Sequence, residues 1–436
     1  MEKNTEKEEK RGEDSSEEDE INVFDKYLKR NDKIFKAERD ILRPHYIPEV
    51  LPHREDKIEE IVSILSSIFR GATPSNIFIY GKTGTGKTAV VKYIAKEIEK
   101  MQKRKKNSSI KIRTVYINCE IVDTHYSLFS NIGNHLSSGD FDDLIPFTGW
   151  PIDRVYMEMV KKIENTGATV IVILDELSKL VFKSGDSALY HLSRINSELK
   201  NSKVSIIGIS NDLKFVDMID GRVWSTLSVD EIVFHPYTSD QLYDILRQRA
   251  EMVFNPGVVS EAVLRMCAAY AAQEHGDARR ALELLRRAAE VAERSGEEKI
   301  TEKHVYKGQR FIEKNRVTQI VRGLPVHSKI LLVAILILSK KENRTIVATT
   351  GEVFRLYEDL CYETSYAPLT QRRVSDLISE LDRLGLINAV LTHKGRYGTT
   401  REIQLDGNRK YIIESLEKDS FFKGLLNYLP SQRHLI

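Results

Sequence analysis

Short runs of apolar residues divide the first half of the chain into segments that alternate between two patterns. Residues 76–80, 112–119, 170–174, 204–210 and 231–234 are rich in β-branched residues and too short to be typical helices. Continuous apolar runs of this length are typical of strands that are buried on both faces of a parallel sheet. Between these runs, apolar residues recur at helical spacing. The pattern predicts an α/β architecture built on a parallel sheet.

The pattern changes at Pro236. Residues 239–316 have only helical spacing, are rich in alanine and contain no run that resembles a strand. Further along, helical segments are followed by two strand-like runs, residues 387–392 and 400–405. We therefore predict four regions: an N-terminal tail (1–20), an α/β base (21–235), an all-α region (236–318) and a C-terminal domain (319–436).

Charge is unevenly distributed between the predicted regions. Residues 1–20 are dominated by Glu and Asp and contain no aromatic side chain. A segment of this composition buries too little apolar surface to fold, so we interpret it as a disordered, solvated tail. The net charge of the chain is +2, and the remainder is therefore clearly basic. A basic folded part favours an anionic partner.

Cysteine usage and hydropathy indicate the compartment. Cys119, Cys267 and Cys361 are far apart and odd in number, which argues against a disulfide framework or a zinc site. The longest apolar run, residues 330–338, is far shorter than the roughly 20 residues that a membrane span requires. We expect a cytoplasmic protein without a membrane partner.

A glycine-rich octapeptide connects the first predicted strand to a helical segment. It consists of Gly81, Lys82, Thr83, Gly84, Thr85, Gly86, Lys87 and Thr88, and Ala89 follows it. Strand, glycine-rich turn and helix form the context that identifies a phosphate-binding loop. Its backbone N–H groups and the helix N-terminus favour an anion. We expect Lys87 to reach the β- and γ-phosphates of a nucleoside triphosphate and the Thr88 hydroxyl to bind Mg²⁺.

Polar residues follow two of the later predicted strands. Asp175 and Glu176 end the run at residues 170–174. There Asp175 is placed to hold Mg²⁺, and Glu176 is placed to orient or deprotonate the attacking water. The competing interpretation is an acidic helix cap. Asn211 follows the next strand, where its amide would either sense the γ-phosphate or form an Asx-turn.

The order of these motifs resembles that of the AAA+ ATPases. Within this resemblance, Arg279 in the sequence Gly-Asp-Ala-Arg matches the second sensor, which reaches from a helical lid to the γ-phosphate. Arg222 matches the arginine finger, which acts on a neighbouring subunit. Gly221 stands where the related proteins usually have proline, which leaves the pose of Arg222 open. Without the resemblance, Arg279 is one of several cations on an exposed helix face.

Local matches narrow the resemblance. Residues 48–54, 75–89 and 368–375 are similar to archaeal initiators related to the eukaryotic origin-recognition and cell-division-cycle proteins. The similarity covers roughly residue 39 to the C-terminus. It implies an adenine pocket and further contacts with ATP or ADP, which the chain would make through Val50, Leu51, Arg54, Tyr237 and Arg249. Otherwise, Tyr237 would be a packing aromatic residue at a hinge and Arg249 a surface cation.

The C-terminal domain combines an amphipathic helix with a basic hairpin. The helix, predicted at residues 373–386, presents an apolar stripe on one face and polar side chains on the other. The tip of the hairpin at residues 393–399 is basic and aromatic. This combination is the winged-helix pattern, in which we predict contacts with DNA bases and phosphates. The predicted contact residues are Arg372, Arg373, Ser375, Lys394, Arg396, Tyr397 and Arg401.

Two alternative interpretations of this domain do not involve DNA binding. Arg372 has the spacing to pair with Asp376 on a solvated helix face. The hairpin could bind protein instead of DNA, with Tyr397 packed against its own stem.

The combined prediction is an AAA+ α/β ATPase base with an all-α lid and a C-terminal winged-helix domain. The resemblance implies a chromosome-associated replication initiator that binds double-stranded origin DNA, alone or with further initiator copies. It also implies that the protein helps to recruit or load the replicative minichromosome-maintenance helicase, with slow ATP hydrolysis as a switch. One alternative is a DNA motor of the Holliday-junction branch-migration type. Another is a transcription regulator with an inactive ATPase site.

Overall fold

The computed structural model describes residues 33–104, 110–137, 143–339, 348–393, 399–405 and 409–428. The chain divides into two compact units between Val305 and Tyr306. This division falls inside the predicted all-α region, so the limits of the predicted domains remain predictions. None of the helices in the described part of the chain is both long and apolar enough to cross a lipid bilayer.

A five-stranded parallel sheet forms the centre of the first unit. Its strands are β1 (Asn76–Tyr80), β2 (Ile112–Asn118), β3 (Thr169–Asp175), β4 (Lys203–Ser210) and β5 (Val229–Val233). They lie in the order β2-β3-β4-β1-β5, and every neighbouring pair is parallel. Strands β3, β4 and β1 are parallel neighbours, so their carboxyl ends meet at the same end of the sheet. Ligands of open parallel sheets bind at the carboxyl ends of the strands.

Helices cover both faces of this sheet. Along β1, Ile77 and Ile79 pack into a core with Val90, whereas Phe78 and Tyr80 pack into the core on the opposite face. This alternation follows from the two-residue period of a strand. The helices of this α/β part are α1 (Glu55–Leu65), α2 (Lys87–Arg104), α3 (His125–His135), α4 (Ile152–Thr166), α5 (Leu177–Ser184), α6 (Ser187–Arg194) and α7 (Gly221–Leu227).

The residues that follow β5 are helical, as predicted. They form α8 (Ser239–Val253), α9 (Glu261–Gln273), α10 (Ala278–Ser295) and α11 (Glu302–Gly323). A capping box between Thr238 and Gln241 fixes the start of α8. The side chain of Asp277 caps α10 by accepting hydrogen bonds from the backbone N–H groups of Arg279 and Arg280. The start of α10 lies beside the glycine-rich loop, because the backbone N–H of Ala278 donates a hydrogen bond to the carbonyl oxygen of Gly84.

The second unit packs helices against a small antiparallel sheet. Its elements are α12 (Val326–Leu338), β6 (Ala348–Thr349), α13 (Thr350–Glu363), α14 (Gln371–Arg383), β7 (Ile387–His393), β8 (Thr399–Leu405), α15 (Arg409–Leu416) and α16 (Ser420–Leu425). The strand order is β6-β8-β7. Helix α12 is apolar around most of its circumference and is buried along most of its length, as expected for the central helix of a small core.

Helix α14 is shifted from its predicted bounds of 373–386. It begins at Gln371 because the hydroxyl of Thr370 accepts a hydrogen bond from the backbone N–H of Arg373 and caps the helix. It ends at Arg383, two residues before Gly385, whose φ is +69°. The predicted apolar stripe is buried at Val374, Leu377, Ile378 and Leu381.

Candidate nucleotide site and DNA-contacting surface

Lys87 begins α2, and its side chain folds back over the glycine-rich loop. Its Nζ donates hydrogen bonds to the carbonyl oxygens of Gly81 (2.6 Å) and Lys82 (2.8 Å) and to Oδ1 of Asn211 (2.7 Å). Burial lowers the pKa of Lys87 to about 8, although the nearby Glu176 carboxylate acts in the opposite direction. A phosphate group at this loop would compensate the desolvated charge.

Two glycines of the loop lie against other parts of the unit. A Cβ atom at Gly84 would be 1.7 Å from Oδ1 of Asp277, and one at Gly86 would be 2.6 Å from the hydroxyl of Tyr237. Their φ angles are +70° and +90°, which favour glycine. The loop therefore needs glycine at both positions to let its backbone close. This geometry fits a phosphate cradle.

Asp175 and Thr88 form the candidate magnesium site. The hydroxyl of Thr88 donates to Oδ2 of Asp175 at 3.0 Å, so its lone pairs remain available for a metal ion. Oδ1 of Asp175 accepts a hydrogen bond from the backbone N–H of Glu176 at 3.0 Å. The described residues contain no group of three acidic, histidine or cysteine side chains that could hold a metal ion alone. The hydroxyl of Thr88 and the carboxylate of Asp175 are oxygen donors that fit Mg²⁺, which usually binds few protein ligands and completes its shell with phosphate and water.

Asn211 connects the candidate catalytic carboxylate to the loop lysine. Its Nδ2 donates to Oε1 of Glu176, while its Oδ1 accepts from Lys87. Glu176 itself has a left-handed backbone conformation with φ of 55°, which costs free energy in a residue with a side chain and is concentrated at functional sites. The Asn211 amide is thus part of a polar network in the site and does more than turn the chain.

A cleft of about 910 Å³, counted out to its open mouth, lies between the loop and the helices after β5. The predicted residues that line the cleft are Leu51, Gly84, Thr85, Gly86, Lys87, Thr88, Ala89, Asn211, Tyr237, Arg249 and Arg279. The predicted cofactor-binding residues outside the lining are Val50, Arg54, Gly81, Lys82 and Thr83.

Arg54 is buried behind the cleft. Its Nε donates to the carbonyl oxygen of Thr85 at 2.9 Å, and its Nη2 donates to that of His235 at 2.8 Å. Its guanidinium carbon lies 3.8 Å from the ring centroid of Tyr237. Burial lowers the pKa of Arg54. Arg54 thus ties the glycine-rich loop to the segment that enters α8, and its contact with adenine remains a prediction.

Arg249 on α8 is buried, so it is not a surface cation. Its guanidinium donates to the carbonyl oxygens of Ile41 (3.3 Å) and Tyr46 (3.2 Å). Burial lowers its pKa to about 10. The segment that it holds includes Pro44 and His45, which line the cleft. Arg249 therefore helps to form the cleft wall, and its direct contact with nucleotide remains a prediction.

Helix α10 touches the glycine-rich loop directly. The backbone N–H of Ala278 donates to the carbonyl oxygen of Gly84 at 3.1 Å. Arg279 follows at the next position and lines the cleft. The candidate second sensor is therefore held beside the loop by a backbone hydrogen bond that does not depend on side-chain identity.

Arg222 is outside this network. It lies in the first turn of α7, its side chain is 91% exposed, and it forms an ion pair with Asp220 at 2.9 Å. It does not line the cleft of its own chain. The predicted action on a neighbouring subunit remains a prediction.

The polar face of α14 presents arginine side chains to solvent. Arg372 and Arg373 are both exposed. Asp376 lies 3.8 Å from Arg373, whereas Arg372 has no ion-pair partner within the described residues. The alternative pairing of Arg372 with Asp376 is therefore wrong. Ser375 is half-buried on the same helix.

Arg401 on β8 contacts α14. Its Nη1 donates to the carbonyl oxygen of Ser375 at 3.2 Å and to the hydroxyl of Ser379. This arginine, predicted as a phosphate contact, thus connects the hairpin to the helix. The other predicted hairpin contacts, at Lys394, Arg396 and Tyr397, lie outside the described residues.

Sequence reasoning missed two residues beside the cleft. Asp277 received no role of its own, yet its carboxylate packs against Gly84. Tyr116 on β2 donates its hydroxyl proton to Asp175 at 2.6 Å. Tyr116 could have been found only if the pairing of β2 with β3 had been known, because this parallel pairing brings Tyr116 near the end of β3.

Three protein-family models match the chain. An ATPase domain predominantly from Archaea matches residues 53–221. The Cdc6 AAA+ ATPase-type lid domain matches residues 243–310, and the C-terminal winged-helix domain of CDC6 matches residues 319–415. The ORC1-type DNA replication protein of Pyrococcus horikoshii is 50% identical over 416 residues, which cover 95% of this chain and 97% of that protein. The chain belongs to the ORC1/Cdc6 family.

Other ORC1/Cdc6 proteins agree with this assignment. The ORC1-type DNA replication protein 1 of Archaeoglobus fulgidus is 49% identical over 408 residues, which cover 94% of this chain and 96% of that protein. The ORC1 protein of Aeropyrum pernix, solved in complex with DNA, is 42% identical with a TM-score of 0.76. The match covers 90% of this chain and 99% of that chain. The predicted family and the predicted AAA+ base, helical lid and winged helix are confirmed.

Proposed function

We propose that this protein is an ATP-regulated replication initiator that binds double-stranded origin DNA and helps to recruit or load the replicative minichromosome-maintenance helicase. Membership of the ORC1/Cdc6 family supports the role in replication. The DNA complex of the A. pernix relative supports DNA binding. The protein would act on the chromosome in the cytoplasm, alone or with further initiator copies.

The contact between the glycine-rich loop and α10 is the observation that carries the regulatory part. Ala278 is hydrogen-bonded to Gly84, and the Asp277 carboxylate packs against the same glycine. A phosphate bound at the loop would repel this carboxylate and attract the neighbouring Arg279. We infer that the number of bound phosphates changes the balance of these forces and hence the position of the lid.

Hydrolysis would be slow because the candidate base is engaged elsewhere. Oε1 of Glu176 accepts a hydrogen bond from Asn211, which in turn holds Lys87. This hydrogen bond holds the Glu176 carboxylate toward Lys87, and we infer that Glu176 must turn toward the attacking water before it can take up a proton. Mg²⁺, held by Thr88 and Asp175, would supply positive charge to the phosphates. The arrangement supports a switch that distinguishes ATP from ADP more than a fast motor.

DNA binding would be the task of the second unit. We propose that α14 enters the major groove, where Arg372 can pair with guanine and Ser375 can donate or accept. Arg373 would contact phosphates at the edge of the groove. Lys394, Arg396 and Tyr397 of the hairpin tip would contact the flanking backbone or the minor groove.

The deciding experiment is footprinting on genomic DNA from the source organism. Protection would be mapped at fixed salt with ATP, with ADP and without nucleotide, because affinity for DNA depends strongly on salt. We expect discrete protected sites whose occupancy differs between ATP and ADP. The Lys87→Ala variant should protect the same sites but lose the difference between nucleotides.

The same samples distinguish the initiator from a DNA motor. The ATPase rate would be measured against protein concentration together with the oligomeric state. Uniform protection without discrete sites, with an ATPase rate that rises in proportion to hexamer formation, would overturn the proposal in favour of a branch-migration motor.

A further inference from the structure

Tyr116 donates a hydrogen bond to the carboxylate that is the candidate magnesium ligand. Its hydroxyl lies 2.6 Å from Oδ2 of Asp175, and the same oxygen accepts the hydroxyl proton of Thr88 at 3.0 Å. Oδ1 of the carboxylate accepts the backbone N–H of Glu176. Because a carboxylate oxygen has two principal acceptor positions, Thr88 and Tyr116 together saturate Oδ2. Asp175 is thereby held against rotation.

The fold explains how Tyr116 reaches this carboxylate. Strands β2 and β3 are parallel neighbours, and their register pairs Tyr116 with Ile173, two residues before Asp175. The ring is held on its other side by Lys92 of α2, whose Nζ lies 4.1 Å from the ring centroid. Lys92 also lines the cleft. The ring therefore sits between the sheet edge and the helix that follows the glycine-rich loop.

The tyrosine can act only as a donor toward Asp175. An ionised carboxylate can only accept hydrogen bonds, whereas a tyrosine hydroxyl carries a proton that it can donate. A short hydrogen bond to an ionised carboxylate is stronger than one between neutral groups, so the contact fixes the position of the Asp175 carboxylate.

We propose that Tyr116 is a positioning residue that orients the Asp175 carboxylate for Mg²⁺ and so sets how strongly nucleotide retention depends on the metal ion. This inference rests on the proposed function, in which Asp175 and Thr88 hold Mg²⁺. Tyr116 would act through Asp175, since it does not itself line the cleft. Partners of this kind orient metal ligands, and their loss typically weakens metal affinity by about 10- to 100-fold.

The test compares Tyr116→Phe with a matched control, Tyr156→Phe. Tyr156 on α4 is buried, whereas Tyr116 is half-buried, and the Tyr156 hydroxyl likewise donates a hydrogen bond to a carboxylate, that of Glu198 at 2.9 Å. Both variants keep the aromatic ring and lose one hydrogen bond to a carboxylate. Binding of fluorescent mant-ATP would be titrated in EDTA and at increasing Mg²⁺ concentration, with thermal unfolding measured in parallel.

We expect Tyr116→Phe to raise the half-saturating Mg²⁺ concentration by about tenfold. Its affinity for mant-ATP in EDTA should equal that of the wild type. Tyr156→Phe should leave the Mg²⁺ dependence unchanged, even if it lowers the unfolding temperature. A Tyr116→Phe variant with the wild-type Mg²⁺ dependence would overturn the role of Tyr116, as would an equal shift in both variants.

The failure of the underlying function has a different signature. A wild type that does not bind mant-ATP would contradict the nucleotide site itself. A wild type that binds it equally with and without Mg²⁺ would contradict the metal role of Asp175, and the role of Tyr116 with it.

Discussion

The nucleotide cleft and the winged helix use charged side chains in opposite ways. In the cleft, Lys87 and Asp175 are buried and held by hydrogen bonds from several elements of the first unit. On α14, by contrast, Arg372 and Arg373 are exposed at the helix surface. A site for a small anion gains from fixed dipoles and charges. A surface that binds a DNA duplex gains most of its affinity when its Lys and Arg side chains displace counterions from the DNA phosphates.

This difference determines how each region should respond to substitution. Removing one member of an interlocked polar network leaves its partners unsatisfied, so the effect on binding should be large and depend weakly on salt. Removing one exposed cation from a DNA-binding face should cost less and change with salt concentration.

Lys87→Ala should have the largest effect. Lys87 is the cation at the centre of the loop and connects it to Asn211. Hydrogen bonds to charged groups contribute about 1.5–3 kcal/mol each, so the loss of two such bonds to phosphates should weaken ATP binding at least about 100-fold. Fluorescent nucleotide titration measures this effect.

Lys100→Ala is the matched control for this prediction. Lys100 lies on the same helix, α2, and forms an exposed ion pair with Glu97, so its loss should leave ATP affinity unchanged. Retention of ATP by Lys87→Ala would show that the cleft does not depend on its buried charge, and the contrast would fail on the nucleotide side.

Arg372→Ala should have an intermediate effect on DNA binding. Loss of an arginine that pairs with guanine costs about 1–3 kcal/mol and relaxes specificity at that base. Affinity for a footprinted site should therefore fall about 10- to 100-fold, while ATP binding stays intact. Fluorescence anisotropy with specific and scrambled duplexes separates the two effects.

Lys410→Ala serves as the control in the same unit. Lys410 is an exposed cation on α15, near Glu414. If both substitutions weaken specific and scrambled duplexes alike, Arg372 contributes only general positive charge and the groove assignment of α14 is wrong.

The sequence predicts those parts of both regions that local patterns determine. The first apolar run, predicted at residues 76–80, coincides with β1, and the glycine spacing of residues 81–88 identifies the loop. The run predicted at 231–234 is observed as β5 at Val229–Val233. The bounds of β5 are shifted because they follow its pairing with β1 more than the positions of its own apolar residues.

The contacts that organise the cleft join residues far apart in the sequence. Tyr116 and Asp175 lie on different strands, Arg54 bonds to His235, and Asp277 packs against a loop glycine. No periodicity or spacing encodes such pairs, because they depend on strand order and on how the helices after β5 close over the sheet. Arg401 is a further example: its charge predicts a phosphate contact, but its hydrogen bonds to α14 depend on the tertiary structure.

Arg401 combines features of both regions. It is a basic residue of the hairpin, but it is held by hydrogen bonds within the protein, as are the charged residues of the cleft. Its guanidinium contacts the Ser375 carbonyl and the Ser379 hydroxyl of α14. If this contact positions α14, Arg401→Ala should weaken specific DNA binding by up to about tenfold, because only part of the ~1.5–3 kcal/mol of each hydrogen bond to a charged group is lost when α14 can still enter the groove. The measurement is DNA affinity over a series of salt concentrations.

The salt dependence and a charge-conserving variant decide between the two roles of Arg401. Loss of a phosphate contact lowers the slope of log affinity against log salt by about 0.9, and Arg401→Lys would largely restore it because the charge remains. Loss of a positioning contact leaves the slope unchanged. In that case Arg401→Lys should resemble Arg401→Ala, because an ammonium group lacks the planar, forked donors of guanidinium. A restored affinity in Arg401→Lys together with a reduced slope in Arg401→Ala would show that Arg401 contacts DNA phosphates and does not position α14.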